Sequence, residues 1–274
     1  MPQLACRLDH LEQTNLLFTM KKHLLTPTLL AVVASTVLIS CSEDSDTQPA
    51  DGNANSRVFA TAAGGSSESA NARVIVNGFS TSEFTVATGE MEFRYAAKAD
   101  IDAGIDLGSI TLKTNLNSSL QSSASETNSL TLIASGDSQA ALIAEGETPE
   151  GNYTEAEFLL KQNTEVDSSD PKYNKSLWIG GEIDGTQTII WSETEKTIEA
   201  MAESSNGVEV EGQSDMMLEF DMEKLFEGVN FSLAGDGNAD GTIEIGPDAE
   251  DGNALLYSRI MSNIESAVSL KSRN

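Results

Sequence analysis

Apolar residues recur at every second position through much of the chain, a period that predicts strands with one buried face. In MEFRYAAKA, Met91, Phe93, Tyr95 and Ala97 fall on one side, with Glu92, Arg94 and Lys98 on the other. GSITLK sets Ile110 and Leu112 against Ser109, Thr111 and Lys113. TEAEFLL sets Ala156, Phe158 and Leu160 against Glu155 and Glu157. The cleanest run is DMMLEFDME, where Met216, Leu218, Phe220 and Met222 alternate with Met217, Glu219, Asp221 and Glu223. Asp184-Gly185 separates strand-like runs at 176–183 and 186–191, and Asn206-Gly207 separates 196–203 from 208–211. Both dipeptides supply the positive φ angles of type I′ hairpins. Many short strands joined by polar turns predict a mainly β fold, an antiparallel β-sandwich, as one domain over residues 71–274.

Two stretches have helical spacing instead. MEKLFEG, from Met222, is long enough for one turn. Residues 253–270 read as one C-terminal amphipathic helix, because Leu256, Ile260, Ile264 and Val268 recur every fourth position. Asn253 suits its start as a cap, and Lys271 and Arg273 suit its negative end. The apolar face is narrow and the flanks are acidic, so this helix is expected to pack on the sheet rather than on a membrane. Residues 41–70 are rich in Ser, Ala, Gly, Asn and acid, and read as a flexible acidic tether.

One apolar run has no period. Residues 24–40, LLTPTLLAVVASTVLIS, carry no charge and follow Lys21 and Lys22. A basic start, an apolar centre and small residues at the end make a secretory signal peptide over residues 20–40. The run falls short of the roughly 20 residues of a membrane span and is broken by Pro27. On this reading Met20 is the true start and residues 1–19 are a mis-called extension. The ending Leu-Ile-Ser-Cys, residues 38–41, resembles a bacterial lipobox. That resemblance implies cleavage before Cys41 and lipid attachment to its thiol; an unmodified Cys41 after ordinary cleavage is the alternative. Ser42 follows the cysteine, which by resemblance to sorted lipoproteins implies the outer membrane of a Gram-negative cell. The lipid anchor would then be the contact with the membrane, and the domain would face the periplasm or the cell surface.

Maturation changes the chemical inventory. The only histidines, His10 and His23, are removed, and so is Cys6. No imidazole and no free thiol remain, which excludes Ser-His-Asp and Cys-His nucleophiles, His/Cys zinc sites and internal disulfides. The formal charge of −27 becomes −28, since Arg7, Lys21, Lys22, Asp9 and Glu12 leave together. Such a surface repels nucleic acid and anionic lipid headgroups and suits divalent cations or salty surroundings. A solvated acidic surface accounts for most of these carboxylates.

GDGNADGTIEIGPD, residues 235–248, is the most specific internal motif. Asp236, Asn238 and Asp240 occupy positions 1, 3 and 5 of a calcium loop, with Gly241 at the sharp turn and the Thr242 carbonyl available. Position 12 holds Pro247 instead of a bidentate acid; Asp248 comes one residue late, and Glu244, Glu250 and Asp251 lie nearby. The candidate Ca2+ ligands are therefore Asp236, Asn238, Asp240, Thr242 and Asp248, in a single loop variant that would tie the last strand to the C-terminal helix. The competing reading is an exposed Asp/Gly turn without an ion. Glycosidases need only two carboxylates, but acids are too abundant for the sequence to single out a pair. Trp178, Trp191, Tyr153 and Tyr173 either line a sugar-binding face or, for the tryptophans, sit in the core beside Ile; the core reading is preferred.

TPEGNYTEAEFLL, SLWIGGEIDGT, LEFDMEKLFEGVNF and DGNALLYSRIMSNIESAVSL, in that order, resemble bacterial secreted lipoproteins that carry a β-sandwich domain of unknown function. The resemblance spans residues 148–270 and implies a lipobox, a low-complexity tether and a sandwich, with no catalytic residues to carry over. The resulting expectation is a non-catalytic surface lipoprotein with a binding or structural role and an unknown protein or glycan ligand. The alternatives are a carbohydrate-binding component of a glycan-uptake system and a carboxylate-pair glycoside hydrolase. Mass spectrometry of the native polypeptide is expected to show a chain beginning at an acylated Cys41, with Cys41→Ser abolishing the modification. An intact leader or a bare Cys41 contradicts this.

Overall fold

The computed structural model describes residues 52–64, 74–97, 116–119, 127–248 and 251–273. The signal segment, Cys41, Lys98 and the GSITLK run lie outside the described residues. Among the described residues fifteen strands form: β1 Asn53–Ala63, β2 Val74–Val76, β3 Phe79–Ala97, β4 Leu116–Ser119, β5 Asn128–Ala134, β6 Asp137–Ser138, β7 Ala141–Pro149 and β8 Gly151–Leu160. They continue with β9 Leu177–Ile183, β10 Thr186–Ser192, β11 Lys196–Ala202, β12 Val208–Val210, β13 Gln213–Asp221, β14 Thr242–Ile245 and β15 Val268–Ser272. The helices are α1, Met222–Leu225, and α2, Ala254–Asn263, with a 3-10 turn at Phe231–Leu233.

All fifteen strands belong to one sheet, with the path β14-β10-β9-β3-β8-β11-β15-β13-β1-β7; the other five strands attach beside β3, β5 and β8. The mainly β expectation holds. The antiparallel one does not: β1 with β13, β10 with β14, and β11 with β15 run parallel, so the sheet is mixed.

The sheet curls back on itself. Along the path β13 lies three strands from β8 and four from β3, which at ~4.8 Å per strand is roughly 14 and 19 Å on a flat sheet. Yet the Phe220 ring is 6.1 Å from that of Phe158 and 5.6 Å from that of Phe84. The inner faces therefore meet across a shared core in which Phe84, Phe93, Phe158, Leu160, Leu218 and Phe220 are buried. A second aromatic cluster closes one end. Phe79, Phe226 and Phe231 pack with centroids 5.1–5.5 Å apart. Asn77, in the β2–β3 turn, donates to the Phe226 carbonyl at 2.8 Å and secures that end.

The alternating runs bury the predicted sides: Met91, Phe93 and Tyr95 on β3, Ala156, Phe158 and Leu160 on β8, and Met216, Leu218 and Phe220 on β13. Asp184-Gly185 is a hairpin, with φ of 50° and 82°, that pairs β9 with β10. MEKLFEG makes the expected turn, and Asp221 caps it by accepting from the amides of Glu223 and Lys224.

Four expectations are corrected. Residues 53–63 are not tether but β1, held between β13 and β7. Its buried side is Ala54, Ser56, Val58, Ala60 and Ala62, residues too small to stand out as apolar alternation. Asn206-Gly207 does not make a hairpin: only Gly207 has positive φ, and β11 and β12 pair with successive stretches of β8 rather than with each other. The C-terminal helix stops at Asn263, and Val268–Ser272 form β15. Val268 and Leu270 satisfy either period, and the open gap between β11 and β13 selects the strand. Finally, Lys271 and Arg273 do not serve a helix end. Lys271 bonds Glu219 at 2.5 Å and Glu203 at 2.9 Å, and Arg273 lies 3.8 Å from the Phe59 ring centroid. Partial burial works against the Lys271 ammonium, but its bonds to Glu219 and Glu203 outweigh it and raise its pKa.

Among the described residues no helix is long and apolar enough to cross a membrane. Phe220→Ala removes the ring that both faces share and is expected to cost about 3–5 kcal/mol in denaturant unfolding. A loss below about 1 kcal/mol would contradict the packed core.

Candidate functional site

Three surface features carry chemistry. The first is the acidic loop between the 3-10 turn and β14. Asp236 accepts the Asp240 amide at 3.2 Å and the Gly241 amide at 2.9 Å, one on each oxygen. Asn238 Oδ1 accepts the same Asp240 amide at 3.0 Å, and Asn238 Nδ2 donates to Asp240 Oδ2 at 3.2 Å. Asp240 Oδ1 accepts the Thr242 amide at 2.9 Å. Gly241, at φ 93°, makes the sharp turn predicted for it. The structure therefore brings Asp236, Asn238 and Asp240 together and sets Thr242 at the start of β14. Asp248 is exposed and joins none of the loop's hydrogen bonds among the described residues.

Asp251 does the joining instead. It is only 8 % exposed, and its Oδ1 accepts the Gly237 and Asn238 amides at 3.1 and 3.2 Å. Its Oδ2 accepts the Glu244 amide at 2.6 Å. Asn253, the expected helix cap, makes no capping bond. Its side chain bridges the Gly235 amide, the Gly235 carbonyl and the Glu244 carbonyl at 2.8–3.1 Å. These two residues link the loop, β14 and α2 with protein groups alone. The oxygens of Asp236, Asn238 and Asp240 converge on the loop's own donors, and the anticipated Asp248 does not join them.

The second feature is a groove of about 300 Å³ on the outer face of β3, β9 and β10. Trp178 stands in its wall, with Ser82, Glu83, Glu182 and Gln187 as polar lining. Gly180, also in the lining, has no side chain to fill the groove. The indoles of Trp178 and Trp191 are cross-strand partners in the β9–β10 register, and both are partly exposed. The preferred core reading is thus corrected: Leu177, Ile179 and Ile190 point inward, so their neighbours Trp178 and Trp191 must point out. Trp191 is covered by Lys175, 3.5 Å from its ring centroid, and by the backbone of Gly246, where a Cβ would come within 2.4 Å of the indole. Trp178 is the indole left to line the groove. Glu83 is ion-paired with Lys172. Tyr153 is fully buried and stacks on Tyr95 at 5.0 Å, so it cannot contact a ligand.

A third feature had no sequence signal beyond outward alternation. Glu155 and Glu157 of β8 and Glu199 of β11 place one oxygen each within 4.8 Å of one another. Glu155 is only 6 % exposed although it lies on the outer face. Register explains the grouping: Glu199 pairs with Glu157, and Glu155 lies two residues before Glu157 on the same side of β8.

Comparison of the chain with protein-family models, curated proteins and solved structures finds no match. The functional reading therefore rests on the geometry of these sites.

Asp251→Ala strips three amides of a charged acceptor and is expected to cost roughly 2–4 kcal/mol in EDTA. Asp240→Ala, at an exposed position, should cost under about 1 kcal/mol in the same buffer. Equal losses from the two would contradict the assignment of Asp251 as the link.

Proposed function

We propose that the protein is a non-catalytic lipoprotein, held at the outer membrane by an acylated Cys41, whose β domain binds a glycan in the Trp178 groove. The observation that carries the reading is an indole on the outer face of the sheet, at the wall of a groove lined by carboxylate, amide and hydroxyl groups. A sugar ring presents C–H faces that stack on an aromatic plane and hydroxyls that bond to such polar groups. A sheet sandwich is the natural description of a curled sheet whose inner faces meet, and it agrees with the lipoproteins of unknown function that the sequence resembles. The acidic loop serves as a calcium site of low affinity, on the order of 10⁻⁴–10⁻³ M as in extracellular modules.

The same groove holds Glu83 and Glu182, so a carboxylate-pair hydrolase would use this place too. The Lys172 ion pair occupies Glu83 and favours binding over catalysis.

A glycan array probed with the detergent-solubilised full-length protein is expected to give a defined set of hits. Trp178→Ala should weaken them at least roughly tenfold, in line with the loss of one aromatic stacking contact. Retained binding in Trp178→Ala, or no hits, would refute the groove. Turnover of a hit glycan that is lost in Glu182→Gln would establish the hydrolase instead.

A further inference from the structure

We propose that Glu155, Glu157 and Glu199 form a second divalent-cation site, of the calcium class, on the outer face of β8 and β11 and apart from the acidic loop. Three oxygens, one per residue, lie within 4.8 Å of one another. Calcium holds oxygens at about 2.4 Å, so two ligands on opposite sides of one ion are separated by at most ~4.8 Å. The three carboxylates can therefore reach a single ion without backbone movement.

A cluster of acids on an acidic protein is ordinary, and the spacing alone would mean little. The independent sign is Glu155 itself. Its side chain is 8 % exposed, and its Oε1 is buried with no hydrogen-bond partner among the described residues. A buried carboxylate oxygen without a donor is costly, and native folds seldom leave one so. The nearby cation is Arg94, whose Nη1 donates to Glu155 Oε2 at 3.0 Å and whose Nη2 lies 3.9 Å from Glu157 Oε2. That contact satisfies one oxygen of Glu155 and leaves the other. Among the described residues Arg94 is the cation paired with Glu155 and Glu157. A divalent ion at the trio would add positive charge there, within reach of the Glu155 carboxylate whose Oε1 has no donor among the described residues. The donors are all oxygen, with no imidazole or thiol, which selects a hard cation over zinc or copper. Glu157 is half-buried and Glu199 exposed, so an ion enters from solvent beside Arg94.

The test uses the full-length protein in detergent, stripped with EDTA and carrying Asp236→Asn and Asp240→Asn so that the loop contributes nothing. Titration calorimetry with calcium chloride is expected to show one equivalent bound, and calcium should raise the thermal midpoint. Glu199→Gln and Glu157→Gln, at accessible positions that do not threaten folding, should each weaken binding roughly tenfold or more by removing ligand charge. Glu155→Gln should abolish it. Absence of both heat and a midpoint shift at millimolar calcium overturns the site, as does binding that Glu199→Gln and Glu157→Gln leave unchanged.

Discussion

The five residues of β15 hold the molecule together. Val268–Ser272 pair antiparallel with β13 and parallel with β11, and on the strand path they stand between β1, β7 and β13 on one side and β3, β8, β9, β10, β11 and β14 on the other. Without them the two halves share no ladder along that path. Once they are in place the sheet can curl until Phe220 reaches Phe84 and Phe158, and the inner faces dry one another. The outer ladder at this seam is also charged: Lys271 of β15 lies between Glu219 of β13 and Glu203 just after β11. Each half-sheet alone would expose one apolar face, so closure is where most of the apolar burial is gained.

Closure also sorts the chemistry. Inside, the packing is aromatic and aliphatic, and α2 seals it with Leu256 and Ile260 while Asn263 donates to the carbonyls of Leu225, the last residue of α1, and of Glu227 just after it. Outside, the pleat must present whatever is not inward. That is why Trp178, Trp191, Glu155, Glu157 and Glu199 share the outer surface although their neighbours Leu177, Ile190, Ala156 and Ile198 are core. The groove and the carboxylate trio are thus consequences of strand register, with Glu155 and Glu157 on one side of β8 and Glu199 paired with Glu157 across β11.

Much of this was legible from period-two alternation, because large apolar residues on β3, β8, β9 and β13 mark their own buried side. The Asp184-Gly185 hairpin was legible because its two strands pair directly. β1 was hidden because Ala54, Ser56, Ala60 and Ala62, on its buried side, do not stand out as apolar. β15 was hidden because Val268 continues a four-residue spacing from Ile264. The tryptophans were assigned by hydrophobicity when alternation with Leu177 and Ile190 already placed them outside. In the acidic loop, the convergence of Asp236, Asn238 and Asp240 followed from spacing. The role of Asp251 did not, since it depends on α2 and β14 meeting, a long-range fact that local spacing does not carry.

The chain has two tryptophans, which makes intrinsic fluorescence a direct reading of which side of the sheet they occupy. Acrylamide quenching of the native full-length protein is the most direct test of the account. The outer-face placement predicts substantial quenching before any unfolding, most of it lost in Trp178→Phe. Blue-shifted emission that acrylamide leaves untouched until the protein unfolds would put the indoles in the core and contradict the curl, the groove and the function built on them.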